Sequence, residues 1–164
     1  MIKKKICMVG AFSVGKTSLV QRFVKSIFSD KYLTTVGVKI DKKSVDVDGT
    51  PVELLLWDVQ GKDDLNEIRL DYLRGASGLL LVVDGTRAAT LDTALAIKAE
   101  VDQTQNPVPA IVLFNKADLE PEWEVTADAI AGVAAGGLPI LRTSAKEGTG
   151  VEEAFLSLTR LMLA

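Results

Sequence analysis

A glycine-rich segment near the amino terminus carries the residue types that bind phosphate groups. Residues 10–17 read Gly-Ala-Phe-Ser-Val-Gly-Lys-Thr, which matches the spacing G-x-x-x-x-G-K-[ST]. The glycines let successive backbone N–H groups point inward at phosphate oxygens, and a helix that opens near Gly15 adds its positive end. Lys16 brings a positive charge to the outer phosphates, and the hydroxyl of Thr17 suits a Mg²⁺ ion. The segment predicts a site for a nucleoside polyphosphate.

A second polar segment indicates which base the site prefers. Residues 115–118 read Asn-Lys-Ala-Asp and follow an apolar run that ends at Phe114. Asp118 is placed to accept hydrogen bonds from both the ring N–H and the exocyclic amine of guanine, whereas adenine offers the opposite polarity. Residues 144–146, Ser-Ala-Lys, come after the last short apolar run, where a backbone N–H could bind the guanine oxygen. This order of segments predicts selectivity for guanine.

The elements that must position these residues follow an α/β pattern. Apolar runs alternate with segments of helical period, which predicts a mainly parallel sheet with helices on both faces. Buried strands are predicted at 6–9, 79–83, 111–114 and 140–141, and two extended runs flanking Asp48-Gly49 predict an antiparallel hairpin, so the sheet is mixed. We expect one domain over residues 1–164.

Four helical segments are predicted between the strands. Their apolar or capping positions are Leu19, Val20, Phe23, Val24 and Ile27 for the first; Leu65, Ile68, Tyr72 and Leu73 for a short second; Thr90 as the N-cap of a third that runs to about Gln103; and Val151, Ala154, Phe155, Leu158 and Met162 for the last. The last helix is expected to pack its apolar face on the sheet.

Composition removes several classes of function. The net charge of −3 argues against a nucleic-acid binder, because phosphate contacts usually need a basic surface. Histidine is absent, which excludes Ser–His and Cys–His nucleophiles and histidine metal sites. Cys7 is the only cysteine, so no intramolecular disulfide can form, and a reducing compartment fits best. Cys7 also lies in an apolar run, which predicts a buried packing role.

The chain ends carry no lipidation signal. Residue 2 is Ile2, which excludes N-myristoylation, and the terminal residues 161–164 contain no cysteine for prenylation. No segment resembles a signal peptide or approaches the length of a membrane-spanning helix. We therefore expect a cytoplasmic protein without a direct membrane anchor, whose membrane role, if it has one, runs through a partner.

Taken in order, these motifs resemble the Ras-like small GTPase superfamily, and Rab-like members most closely. The resemblance rests on residues 10–17, on Tyr32-Leu33-Thr34-Thr35-Val36-Gly37, on Trp57-Asp58-Val59-Gln60-Gly61, on Asn115-Lys116-Ala117-Asp118 and on Ser144-Ala145-Lys146. It implies the P-loop fold of small G proteins, with about six strands. It also implies a molecular switch that binds GTP or GDP with Mg²⁺, hydrolyses GTP, and meets effector, GTPase-activating and exchange proteins through two switch regions.

The resemblance also implies roles for individual residues. Mg²⁺ would be held by Thr17, Thr35 and, through water, Asp58. The alternative to Thr35 is Thr34, but Thr35 stands directly before Val36-Gly37 as the motif requires. The catalytic set would be Lys16, Thr35, Gly61 and Lys62. Nucleotide contacts would come from Ser13, Val14, Gly15, Lys16, Thr17, Ser18, Phe28, Thr35, Asp58, Gly61, Asn115, Lys116, Asp118, Ser144, Ala145 and Lys146. Phe28 would stack near the guanine edge, or else be a core residue that ends the first helix.

Lys62 departs from the family pattern, because most relatives have at this position a glutamine that orients the attacking water. A lysine ammonium only donates hydrogen bonds and cannot accept a proton from water as an amide oxygen can. We therefore expect slow intrinsic hydrolysis, with missing groups supplied by a partner. Gln60 could substitute, although its side chain is expected to project elsewhere.

Two further departures lie beside the expected phosphate site. Phe12 stands where many relatives have glycine or another small residue. It could crowd an incoming arginine finger, shield the phosphates from water, or be a tolerated solvent-facing ring. Asp63-Asp64 adds negative charge there, unless it caps the following helix or meets a basic partner.

Two other functions remain open from the sequence. One is a nucleotide-dependent binding module with almost no turnover, which Lys62 favours. The other is a phosphotransferase on a small substrate, which would normally carry an arginine-rich lid. The arginines Arg69, Arg74, Arg87, Arg142 and Arg160 are scattered and are most simply solvated surface charges.

Overall fold

A six-stranded sheet forms the centre of the molecule. The computed structural model describes residues 1–29, 35, 37–62 and 67–164. Its strands are β1 (Ile2–Gly10), β2 (Val38–Val47), β3 (Thr50–Val59), β4 (Gly78–Asp84), β5 (Ala110–Asn115) and β6 (Ile140–Arg142). Its α-helices are α1 (Lys16–Lys25), α2 (Leu70–Leu73), α3 (Ala89–Thr104), α4 (Ala127–Ala135) and α5 (Val151–Leu163), and a 3₁₀ helix covers Ala117–Glu122.

The sheet is mixed, as the sequence predicted. The strand order is β2-β3-β1-β4-β5-β6, in which β1 lies between two parallel neighbours and only β2 runs antiparallel. Asp48 and Gly49 connect β2 to β3 with positive φ angles of 52° and 88°, the conformation that a two-residue hairpin turn needs. The parallel order brings the carboxyl ends of β1, β3, β4, β5 and β6 to one edge of the sheet, where ligands bind in open α/β folds.

Helices cover both faces of the sheet and bury two hydrophobic layers. One layer includes Ile6 and Met8 and is closed by α1 and α5, whose Phe23 and Phe155 rings stack with centroids 4.1 Å apart. The other layer includes Cys7 and lies under α3 and α4. Every residue of β4 is buried. The expected α/β architecture with helices on both faces is therefore confirmed.

Several element predictions need correction. Ile27 is not on the first helix, because α1 ends at Lys25 and Ile27 is half exposed. The short second helix spans only Leu70–Leu73, and Leu65 lies outside the described residues. Thr90 is not an N-cap: Ala88 occupies that position, and Thr90 lies buried inside the first turn of α3.

The sequence reasoning also missed α4. Thr126 caps this helix, because its side-chain oxygen accepts a hydrogen bond from the Ala129 N–H. Only Ile130 is fully buried in α4, so the helix presents a weak apolar stripe. Separately, no helix in the described ranges has the length and apolar character that a membrane span requires.

Candidate functional site

The glycine-rich segment forms the connection between β1 and α1, at the carboxyl edge of the sheet. Gly15 precedes α1 with φ 105°, a left-handed conformation that favours glycine. A Cβ atom at Gly15 would also stand 2.3 Å from Nδ2 of Asn115. Both the backbone angle and the close approach therefore explain why glycine occupies the start of this helix.

Lys16 is a buried cation on the first turn of α1. Its side chain is 6% exposed, and its Nζ donates to the Ala11 carbonyl at 2.8 Å. Burial lowers the pKa of Lys16 to about 8, the negative charge of Asp58 opposes this shift, and the positive charge of Arg87 adds to it. The ammonium is thus only partly compensated by protein groups, which suits a site that receives an anion.

Three side chains with oxygen atoms meet next to this lysine. The Thr17 hydroxyl donates to Oδ2 of Asp58 at 2.6 Å, and the Thr35 hydroxyl donates to the same oxygen at 3.0 Å. The two hydroxyl oxygens are 2.7 Å apart. The structure therefore brings together Thr17, Thr35 and Asp58, the three residues expected to hold Mg²⁺, although they come from a helix, a loop and the end of β3.

Asp58 retains an unsatisfied oxygen in this cluster. The residue is 1% exposed, and its Oδ1 atom has no hydrogen-bond donor in the described part of the chain. Burial raises the pKa of Asp58, while hydrogen bonds from Thr17 and Thr35 and the charge of Lys16 lower it in part. A buried carboxylate oxygen without a donor fits an ion with its bound water better than it fits a packed core.

The segment after β3 lies directly against the glycine-rich segment. The Phe12 N–H donates to the Lys62 carbonyl at 2.9 Å, and the Lys62 N–H donates to the Gly10 carbonyl at 3.1 Å. Gly61 is buried so tightly here that an added Cβ would stand 2.6 Å from Cα of Phe12. The structure therefore places the backbone of Gly61 and Lys62 beside the expected phosphate position.

The Lys62 side chain points toward α3. Its Nζ lies 3.4 Å from Oε2 of Glu67 and 3.8 Å from Oε1 of Glu100. Gln60 turns the other way, because its Oε1 accepts from the Gly37 N–H at 2.9 Å. The expectation that Gln60 projects elsewhere fits this contact, and neither side chain borders the small cavity beside Lys16.

That cavity is lined by candidate residues from both the glycine-rich segment and the segment after β3. Its walls are Phe12, Ser13, Gly15, Lys16, Thr17, Thr35, Asp58, Val59 and Gly61. Phe12 is partly buried and borders the cavity, so it is more than a ring exposed to solvent. Asp63 and Asp64 lie outside the described residues, as do Thr34 and Val36.

The residues expected to bind guanine form a connected network at the ends of β5 and β6. Asn115 donates from Nδ2 to the Val14 carbonyl at 2.9 Å and accepts from the Thr143 hydroxyl at 3.0 Å. The Ser144 hydroxyl donates to Oδ1 of Asp118 at 2.8 Å. Asp118 is thus oriented by a fully buried neighbour, and one side chain, Asn115, joins both base-side segments to the glycine-rich segment.

The remaining candidates differ in how the structure supports them. Val14 and Ala145 are buried, Ser13 and Ser18 are partly buried, and Lys146 is exposed. Phe28 lies beyond α1 and is 36% exposed, so the alternative of a core residue that ends the first helix is wrong. Its stacking on guanine stays a prediction.

Asp84, the last residue of β4, and Arg87, in the loop after it, are site residues that the sequence reasoning missed. Oδ2 of the buried Asp84 accepts from Nζ of Lys116 at 2.7 Å and from Nε of Arg87 at 3.0 Å. Burial alone raises the pKa of Asp84, but hydrogen bonds from Lys116, Thr86 and Arg87 together bring it below the ordinary value. The sequence signal that indicates Asp84 is a carboxylate at the end of a buried strand.

Arg87 is therefore not simply a solvated surface charge. Its guanidinium also donates from one terminal nitrogen to the Phe12 carbonyl at 2.7 Å, although 44% of the side chain remains exposed. This contact joins the loop after β4 to the glycine-rich segment.

Comparison with known proteins gives one consistent match. The model of the Ras family matches residues 5–164. The GTP-binding protein YPTM1 of Zea mays is 36% identical over 157 residues, which cover 94% of this chain and 76% of that protein. The Ras-related protein Rab-13 of Canis lupus familiaris is 34% identical, with coverage of 97% and 79%. The Ras-related protein Rab-1C of Dictyostelium discoideum is 33% identical, with coverage of 94% and 78%.

Proposed function

The chain belongs to the Ras family of small GTPases, which are GTP hydrolases, and from this premise we propose that it is a magnesium-dependent switch with slow intrinsic hydrolysis. The proposal rests on one observation: the same edge of the sheet holds Lys16, the oxygen cluster around Asp58, and Asp118. A polyphosphate needs the first two, and a guanine base needs the third.

The oxygen cluster fits a magnesium ion. Thr17 and Thr35 would hold it through their hydroxyl groups, and Asp58 would hold it through water. The donor set consists of oxygen atoms alone, which Mg²⁺ prefers, and Oδ1 of Asp58 stands buried without a donor in the described residues. When bound, the ion neutralises negative charge on the phosphates.

The protein's own groups bind and orient the nucleotide. Backbone N–H groups of residues 13–18 and the ammonium of Lys16 attract phosphate oxygens. Asp118, oriented by Ser144, accepts from the guanine edge, while Lys116 and residues 144–146 line the base. Phe28 stacks beside it. The affinity for the nucleotide therefore depends mainly on the phosphate contacts, and the selectivity for guanine depends on Asp118.

Switching follows from which residues contact the outermost phosphate. Thr35 is the one described residue within 30–36, and Gly61 lies two positions before residues 63–66, which are outside the described part of the chain. In the proposed switch, Thr35 and Gly61 would contact a γ-phosphate, and both contacts would be lost with it. Effector, GTPase-activating and exchange proteins would bind to these two segments in the cytoplasm.

Slow hydrolysis follows from Lys62. The ammonium lies between Glu67 and Glu100 and cannot accept a proton from water. The same observation favours a second candidate function, a binding module that holds GTP with almost no turnover. The two functions differ in whether any GTP is consumed in the presence of a cell extract.

Asp118→Asn tests the base-binding half of the proposal. We expect the GDP affinity to fall by about 10²-fold or more, because an amide cannot accept from two guanine donors at once. Xanthosine diphosphate, whose 2-oxo group accepts where guanine donates, should gain affinity. Both affinities can be measured by equilibrium competition in Mg²⁺.

Glu122→Gln is the matched control, because it removes an exposed carboxylate four residues away. It should leave both affinities unchanged. Unaltered GDP binding by a folded Asp118→Asn protein would refute the assignment of Asp118 to the base.

A further inference from the structure

Three successive carbonyl groups of the glycine-rich segment accept hydrogen bonds from side chains behind it. The Val14 carbonyl accepts from Asn115 at 2.9 Å, and the Ser13 carbonyl accepts from Nζ of Lys116 at 3.5 Å. The Phe12 carbonyl accepts from Arg87 at 2.7 Å. Asn115 and Lys116 belong to the motif that carries the family resemblance, whereas Arg87 belongs to none of the motifs.

Arg87 is held in this position by a buried carboxylate. Its Nε donates to Oδ2 of Asp84, which is 1% exposed and also accepts from Lys116. Oδ1 of Asp84 accepts from the N–H and the hydroxyl of Thr86 at 2.9 and 2.7 Å. The planar guanidinium therefore spans two fixed acceptors, which a lysine ammonium on a flexible stem would match poorly.

The contact acts on the peptide group between Phe12 and Ser13. Its oxygen accepts from Arg87, and its N–H belongs to Ser13, a residue that lines the cavity beside Lys16. A cation on the carbonyl side polarises the peptide and makes the N–H a stronger donor. Such a donor matters most when negative charge on the phosphate oxygens is greatest.

We propose that Arg87 is a positioning residue for GTP hydrolysis, which holds and polarises the Phe12–Ser13 peptide from behind the phosphate site. This inference rests on the proposed function. The loop after β4 would then contribute to hydrolysis separately from nucleotide binding. Arg87 would act from behind the glycine-rich segment, in which Phe12 replaces a small residue.

The test compares Arg87→Gln and Arg87→Lys with the wild-type protein. We expect the rate of single-turnover GTP hydrolysis to fall by about tenfold in both variants. Lysine keeps the positive charge but cannot donate to both acceptors in the planar geometry of a guanidinium. GDP affinity should fall by less than about threefold, because the N–H donors and Lys16 remain. The ³¹P resonances of bound GTP should shift in both variants, which reports the altered donor directly.

Arg160→Gln is the control, since Arg160 lies on α5 and forms an ion pair with the exposed Asp48. It should match the wild type in all three measurements. Unchanged hydrolysis in Arg87→Gln would overturn the inference, and so would equal losses of GDP affinity and hydrolysis, which indicate a purely structural role. Failure of the wild-type protein itself to bind GDP would instead refute the proposed function, and this inference with it.

Discussion

Lys16 combines burial with a charge that the protein compensates only in part. Its pKa is lowered to about 8 by burial, and bound phosphate groups would raise it. Binding of GDP should therefore take up protons, and the affinity should weaken as the pH rises through about 8, where the free lysine loses its charge and the bound lysine keeps it.

Calorimetry in buffers of different ionisation enthalpy measures this proton uptake. We expect uptake to increase from pH 7.5 to pH 8.5, a range in which free phosphate groups, with a second pKa of about 6, are already ionised. Proton uptake near zero throughout this range would show that phosphates do not bind beside Lys16.

Lys62 sets the expected rate of hydrolysis. Replacing it with glutamine supplies an amide oxygen that can orient water and also removes the ion pairs with Glu67 and Glu100. We expect Lys62→Gln to accelerate single-turnover hydrolysis by roughly tenfold, about 1.4 kcal/mol in the barrier. Lys98→Gln is the charge control: it removes the ion pair with Asp102 on α3 and should not accelerate hydrolysis. If Lys62→Gln is no faster, the account of the slow step is wrong.

At the scale of elements, the connection between β4 and α3 depends on one buried hydroxyl. The Thr90 oxygen accepts from the Asp84 N–H at 3.0 Å and lies 2.7 Å from the Arg87 carbonyl, to which it donates. Thr90→Val keeps the shape but leaves a buried N–H without its partner. We expect a loss of about 1–3 kcal/mol in the free energy of unfolding, measured with denaturant.

Thr93→Val provides the comparison, because the exposed Thr93 hydroxyl also donates to a carbonyl, that of Ala89 at 3.2 Å, but water can replace it. Its cost should stay within about 0.5 kcal/mol. Equal effects of the two substitutions would show that the buried hydroxyl does not hold this connection.

The elements differ in how far their sequences predict them. The hairpin at Asp48-Gly49 and the apolar stripe of α5 are predicted correctly, because local turn chemistry and helical spacing decide both. Thr90 was misassigned because its partners belong to β4, a tertiary contact that capping rules do not contain. The helix α4 was missed because its alanine-rich sequence has almost no apolar stripe.

At the scale of the whole molecule, the motifs predict which residues meet but not how they are joined. The order of strands at one edge of the sheet is enough to bring Lys16 near Asp118. The hydrogen bonds that join these segments are long-range: Asn115 donates to the Val14 carbonyl, and Arg87 donates to the Phe12 carbonyl. No spacing rule in the sequence predicts these contacts, because they depend on the pairing of β1 with β4 and of β4 with β5.

These long-range hydrogen bonds imply that nucleotide binding stabilises the entire fold, since the site joins segments from residue 10 to residue 146. A ligand at about 100 times its Kd adds about 2.7 kcal/mol to the free energy of unfolding. For a domain of this size, that corresponds to a rise of roughly 5–10 °C in the thermal midpoint.

Guanine selection by this site can be tested through the thermal midpoint of nucleotide-free protein, measured in Mg²⁺ with matched concentrations of GDP and of ADP. We expect a rise of that size with GDP and almost none with ADP, because only guanine offers two donors to Asp118. Equal rises with both nucleotides, or no rise with GDP, would contradict it.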